Sequence, residues 1–180
     1  MRRAAGFTLV ELLVVLVIVG GLAGLAVLGT GIAGPARTLN NEAERLAGLI
    51  GVLADEAVLD NREYGLRLTP DSYQVLRYDE ASGNWQPLAD KPHRLPDWAE
   101  ISIELEGQAL RLPGPLTDAG DEQKAAAQAA PQLLILSSGE LSPFRLRLGE
   151  RRKDGLRLQL SSDGFRLPTV EVLASTGRAG

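Results

Sequence analysis

From Leu12 to Ala36 this chain carries no charged residue, and no other segment restricts its possible folds more. As a helix, the run exceeds the roughly 20 residues that cross a hydrocarbon core. A bilayer or other apolar helices must therefore surround it. Just before it stand Gly6-Phe7-Thr8-Leu9-Val10-Glu11, behind a six-residue leader that holds Arg2 and Arg3. An ordinary secretory signal is cut after its apolar stretch. Here the obvious processing point, after Gly6, precedes the stretch, so cutting removes the basic leader and leaves the apolar segment on the mature chain. Arg2 and Arg3 meet no competing basic residue until Arg37 and Arg45. The positive-inside rule then places the N-terminus in the cytoplasm and the remainder outside it.

Glu11 is hard to explain in a plain anchor. A carboxylate at the start of an apolar segment costs on the order of a few kcal/mol unless it is paired or lies at the interface. Its natural partner is an amine; the plain alternative is a position in the headgroup layer with no further role. Gly6, Phe7 and Glu11 together resemble the type III signal of type IV pilins and of type II secretion pseudopilins. That resemblance implies cleavage between Gly6 and Phe7 by a prepilin peptidase and methylation of the new N-terminal Phe7. It also implies that Glu11, the fifth mature residue, meets the N-terminal amine of a neighbouring subunit's Phe, neutralising both charges and setting the axial register of a filament.

The helical pattern continues past the apolar run. Leu39, Ala43, Leu46, Ile50, Leu53 and Ala57 recur at spacings of four and three, which is one face of an amphipathic helix. Glu42, Glu44, Arg45, Asp55 and Glu56 supply its polar surface. One long helix over 7–60 is expected, apolar all round in its membrane half and amphipathic in its second. Pro35 should bend or loosen it, because proline removes an intrahelical hydrogen bond and clashes with the preceding turn. Gly20, Gly21, Gly24, Gly29, Gly31 and Gly34 weaken the first half but permit close approach of neighbouring helices.

After Asn61 the period becomes two. Strands are expected at 64–68, 72–78, 84–86, 101–105, 109–112, 133–136, 144–148, 156–160 and 170–173, punctuated by turn signals such as Thr69-Pro70-Asp71, Glu106-Gly107 and Asp163-Gly164. A helix followed by seven to nine short strands predicts an α+β fold, with the amphipathic half packed on an antiparallel sheet or sandwich body over 61–180. The 114–130 segment, rich in Ala, Asp and Gln, reads as a flexible insertion, with a short surface helix over 121–130 as the alternative.

Charge and cysteine content narrow the function classes. Without the leader, 17 basic residues face 23 acidic ones, which argues against a body built for generic nucleic-acid binding. The absence of cysteine excludes lipoprotein anchoring and thiolate metal sites.

The body sharpens the resemblance. Ala43 to Ala57 followed by Asn61-Arg62-Glu63-Tyr64-Gly65-Leu66, then Tyr73, Tyr78 and Trp85-Gln86-Pro87-Leu88, is similar to the GspH family, the minor pseudopilin H of type II secretion. The later segment Leu136-Ser137-Ser138-Gly139-Glu140-Leu141-Ser142-Pro143-Phe144 resembles that family's strand-turn-strand. The likeness implies a pilin-like fold and a structural subunit near the tip of a periplasmic pseudopilus, supporting export of folded exoproteins. Its implied partners are other minor pseudopilins, the major pseudopilin, the prepilin peptidase and the inner membrane, with secreted substrates and the outer-membrane channel as further contacts. No cofactor, metal or nucleic acid is expected.

Catalytic signals are weak by comparison. His93 lies in the Pro-rich Lys91-Pro92-His93-Arg94-Leu95-Pro96 and reads as a solvated loop histidine. No nucleophile elbow, phosphate loop or paired-histidine metal motif is present. Asp118, Asp121 and Glu122 lack EF-hand spacing. Arg145, Arg147, Arg151, Arg152 and Lys153 form a basic patch, with Arg145 and Arg147 on the polar face opposite Phe144, Leu146 and Leu148. A solvated face or an inter-subunit salt-bridge surface is the expected role. The same patch motivates the alternative function, a minor pilin of a type IV pilus or DNA-uptake filament. A membrane-anchored enzyme would leave Gly6, Phe7 and Glu11 unexplained.

Overall fold

The computed structural model describes residues 9–114 and 130–173, without the side chains of 22–33. The expected leader, Gly6 and Phe7, and nearly all of the 114–130 insertion lie outside the described residues. The chain divides into two units, Met1–Thr38 and Leu39–Gly180.

Helix α1 spans Leu9–Asp60 and contains Pro35 without ending there. The first unit holds its apolar part. Thr38 Oγ1 donates to the Gly34 carbonyl at 3.0 Å, one turn back beside Pro35. Among the described residues no helix is long and apolar enough to cross a membrane. Apolar side chains are described only from Leu9 to Gly21, roughly 20 Å at 1.5 Å per residue, so the expected span over 12–36 lies partly outside them.

The second unit contains the amphipathic half of α1. Leu39, Ala43, Leu46, Ile50, Leu53 and Ala57 are all buried in the core, as their spacing requires. The helix stops at Asn61, whose φ of 49° is left-handed, and the Arg62 amide donates to the Ala57 carbonyl at 3.1 Å. This six-to-one bond is the Schellman closure, in which asparagine can stand where glycine is commonest.

Among the described residues ten strands follow: β1 (Tyr64–Leu68), β2 (Ser72–Asp79), β3 (Asn84–Pro87), β4 (His93–Arg94), β5 (Ala99–Leu105), β6 (Gln108–Leu110), β7 (Leu133–Ile135), β8 (Phe144–Glu150), β9 (Arg157–Ser162) and β10 (Thr169–Leu173). The first sheet runs β3-β2-β1-β7, with β4 also pairing with β2; the second runs β10-β9-β8-β5-β6. Every pairing is antiparallel. Glu106 and Gly107, both at positive φ, make the two-residue turn between β5 and β6, as primed hairpin turns demand.

One apolar core joins the three layers. Alternation sends Leu66 and Leu68 of β1, Leu133 and Ile135 of β7, Ile101 and Ile103 of β5, and Leu146 and Leu148 of β8 into a single cluster with the helix stripe. The opposite face of β1 is covered as well. There Gly65 lies beneath Pro131, whose ring would collide with any side chain at that position. Arg67 is 4% exposed, and burial holds its pKa below the usual arginine value.

Candidate functional site

Glu11 sits in the first turn of α1, where the partial positive charge of the helix N-terminus favours a carboxylate. Around it, the apolar residues from Leu9 through Val19 are all exposed, Leu9 at 82% and Leu16 at 64%. Consecutive exposed residues over three turns present apolar surface in every direction. Contiguous apolar area of this extent marks a surface that something else covers.

In the second unit a polar clamp joins the helix to the first sheet. The His93 Nε2 on β4 lies 2.8 Å from the Glu42 Oε2 on α1, with both side chains half-buried. The imidazole also packs on the Tyr73 ring of β2, with centroids 4.8 Å apart. This corrects the expectation of a solvated loop histidine. His93 is a strand residue, paired across from Tyr73 in register, and its contact with Glu42 spans 51 residues of sequence, so no local pattern announces it. Burial pushes the Tyr73 hydroxyl up to about 12, with nearby Arg45 opposing that rise and Glu42 adding to it. Among the described residues it is the buried side-chain polar atom without a hydrogen-bond partner.

The basic patch is divided among separate partners. Arg145 and Arg147 do lie on the outer face of β8, opposite the buried Phe144, Leu146 and Leu148. Arg147 Nη1 contacts Glu104 Oε1 on β5 at 2.7 Å. Arg152 Nη2 contacts Glu150 Oε2 at 2.7 Å, and Arg151 Nε donates to the Ala99 carbonyl at 3.2 Å. An ordered loop lies beside them. The Asp163 Oδ1 accepts hydrogen bonds from the Phe165 and Arg166 amides, each at 3.0 Å, and these bonds hold its carboxyl below the usual range. Ser162 Oγ donates to the Arg166 carbonyl at 2.6 Å.

Open recesses mark the body. One of about 700 Å³ is lined by Asp60, Arg62, Glu63, Arg77 and Asp79 at the exit of α1. Its alternating charges organise no nucleophile with a base. Among the described residues no three His, Cys, Asp or Glu side chains converge as metal ligands; Asp118, Asp121 and Glu122 lie outside them. What the geometry offers is surface: an apolar helix, a clamped body and a charged sheet face.

Comparison with known proteins adds lineage to that geometry. The family model described as type II transport protein GspH matches residues 42–164, and that of the prokaryotic N-terminal methylation motif matches residues 1–27. The chain is 64% identical over 172 residues to type II secretion system protein H of Pseudomonas aeruginosa, covering 96% of this chain and 98% of that protein. It is 34% identical over 158 residues to the protein of the same description from Aeromonas hydrophila, covering 85% of each. Among solved structures, the minor pseudopilin EpsH from the type II secretion system of Vibrio cholerae shares the fold. The TM-score is 0.55 at 23% identity, over 77% of this chain and 95% of that one.

Proposed function

We infer the role of this chain from one premise: it belongs to the GspH family of type II transport proteins. It is a minor pseudopilin of the type II secretion system, and it works by assembling with other pseudopilins. The role is structural. The observation that carries this reading is the exposed apolar surface of Leu9–Val19, which lies within the N-terminal methylation motif. A bilayer covers such a helix before assembly, and the helices of neighbouring subunits cover it afterwards.

The finer steps follow from the residues. Prepilin peptidase cuts between Gly6 and Phe7 and methylates Phe7. The subunit then waits in the inner membrane with its N-terminus cytoplasmic and its body periplasmic, as the arginines of the leader dictate. On assembly near the pseudopilus tip, between other minor pseudopilins and the major pseudopilin, Glu11 meets the Phe7 amine of a neighbour, so neither charge remains unpaired in an apolar surrounding. Contacts with the outer-membrane channel and with exoproteins fall to the exposed body.

Chromosomal deletion with plasmid complementation tests the role. Exoproteins should accumulate in the periplasm of the deleted strain while surface piliation and DNA uptake stay normal. Normal secretion with lost piliation or uptake would refute it. In the same strain, a Glu11→Ala variant should be processed and folded but enter the fibre at least ten-fold less. Parental incorporation would refute the register contact.

A further inference from the structure

We propose that the loop between β9 and β10, with the recess beside it, docks a carboxylate-bearing patch of a neighbouring pseudopilin. The inference rests on the fibre role above and names one of its contacts. The recess, about 360 Å³, is lined by Arg145, Arg166, Ser161, Asp163 and Thr169 among others.

Of its two guanidinium groups, Arg145 forms no ion pair among the described contacts and Arg166 forms only a long, exposed one. Arg145 stands opposite Glu104 in strand register, but Glu104 is held by Arg147 at 2.7 Å. Arg166 reaches Asp163 only at 3.9 Å, with both side chains largely exposed. The Asp163 Oδ1 is occupied by backbone amides. Two exposed arginines facing one recess favour an incoming carboxylate, which guanidinium binds through a planar pair of donors.

The loop holds an aromatic anchor next to this charge. Phe165 is 80% exposed and Leu167 is 55% exposed. Their loop is nevertheless fixed, since the Gly164 amide donates to Ser162 Oγ at 3.1 Å, the Leu141 amide donates to the Gly164 carbonyl at 2.8 Å and Ser162 Oγ donates to the Arg166 carbonyl at 2.6 Å. Gly164 has φ of +100°, and a side chain there would press on the carbonyl oxygen of Leu141. A residue already ordered in the unbound state loses little freedom on binding. Aromatic residues and arginine are the types most enriched where protein surfaces meet. A nucleic acid fits poorly, because the chain is acidic overall, with a formal net charge of −4.

The test uses the full chain in secreting cells, with a photoreactive phenylalanine analogue in place of Phe165 and, in a second strain, in place of Leu16 on α1. Illumination should join position 165 to a pseudopilin through a peptide containing Asp or Glu. Arg145→Glu with Arg166→Glu should cut that yield at least ten-fold while the Leu16 adduct persists, and reversing the partner's carboxylate to Lys should restore it. Arg145→Gln with Arg166→Gln, which adds no repulsion, should cut it about three-fold. A Leu16 adduct without a pseudopilin adduct at 165, or a 165 adduct indifferent to charge reversal, overturns the docking proposal alone. Loss of pseudopilin adducts at both positions in the parent overturns the fibre role and the docking proposal together.

Discussion

Replacing Gly65 by alanine puts one methyl group where Pro131 already is. A Cβ at Gly65 would stand 2.3 Å from Pro131 Cγ, 2.6 Å from Pro131 Cβ and 3.2 Å from the Leu133 carbonyl oxygen. Carbon pairs rest at about 3.5–4.0 Å, so the ring must retreat by at least about 1.2 Å. It cannot do so by changing a rotamer, because the pyrrolidine is closed on its own backbone. The shift is passed to Gln132, whose amide donates to the Leu66 carbonyl at 3.1 Å, and then to β7. Overpacking of this kind costs about 1–3 kcal/mol, and a weakened hydrogen bond adds about 1 kcal/mol. Lost freedom of the unfolded chain returns about 0.4–1 kcal/mol. The net is about 1–3.6 kcal/mol, which at roughly 4 °C per kcal/mol for a body of this size lowers Tm by about 4–14 °C. Thermal and urea unfolding of the body from Leu39 onward measures it. In a double-mutant cycle, Pro131→Ala should relieve part of the cost and Pro131→Gly more, because only the second removes both clashing carbons. A Gly65→Ala body within about 0.5 kcal/mol of the parent, or strictly additive double variants, would refute the reasoning.

Three further outcomes are expected. His93→Ala and Glu42→Ala should couple by about 1 kcal/mol in a urea-unfolding cycle, since the pair is half-buried and hydrogen-bonded; a coupling near zero removes the clamp. Tyr73 should titrate near 12 by ultraviolet absorbance. Because its folded pKa is raised, its contribution to stability is complete below the unfolded value near 10 and is lost as pH rises through 12; an ordinary titration near 10 would contradict its burial. Asp163 has the opposite sign: its folded pKa is depressed, so its contribution is present above the usual carboxylate range and is lost as pH falls through the folded value. Amide exchange at Phe165 and Arg166 should accelerate only in that acid window, and Asp163→Ala should accelerate it at neutral pH.

Local structure was legible where one chemical period governed it. The stripe from Leu39 to Ala57 is buried residue by residue as its spacing requires, and Phe144, Leu146 and Leu148 face the core with Arg145 and Arg147 outside. Glu106-Gly107 and Asp163-Gly164 turn where their backbone freedom predicts. Partnership was not legible. β4 is two residues long and has no period to read, so His93 passed for loop. The pairing of β7 with β1, the seat of Pro131 on Gly65 and the reach of Glu42 to His93 each depend on groups distant in sequence. Burial of Arg67 was equally hidden, because alternation assigned it to the polar side of β1 and only the chain's return over that face covers it. At the other end, the expectation for Gly6 and Phe7 rests wholly on the sequence, because both lie outside the described residues.

The neighbour that completes β1 arrives late in synthesis. Tyr64 pairs with Ile135, and β5 and β6, which belong to the other sheet, are made in between. While that intervening chain emerges, one side of β1 remains an unpaired row of donors and acceptors, the kind of edge that recruits foreign strands. Closing so long a loop is slow relative to forming the neighbouring β1–β2 hairpin. For a subunit that assembles with similar chains, the interval before Leu133–Ile135 docks is therefore its period of greatest vulnerability to wrong pairing. A chaperone that shortens that interval would raise the yield of competent subunits without changing the stability of the finished one.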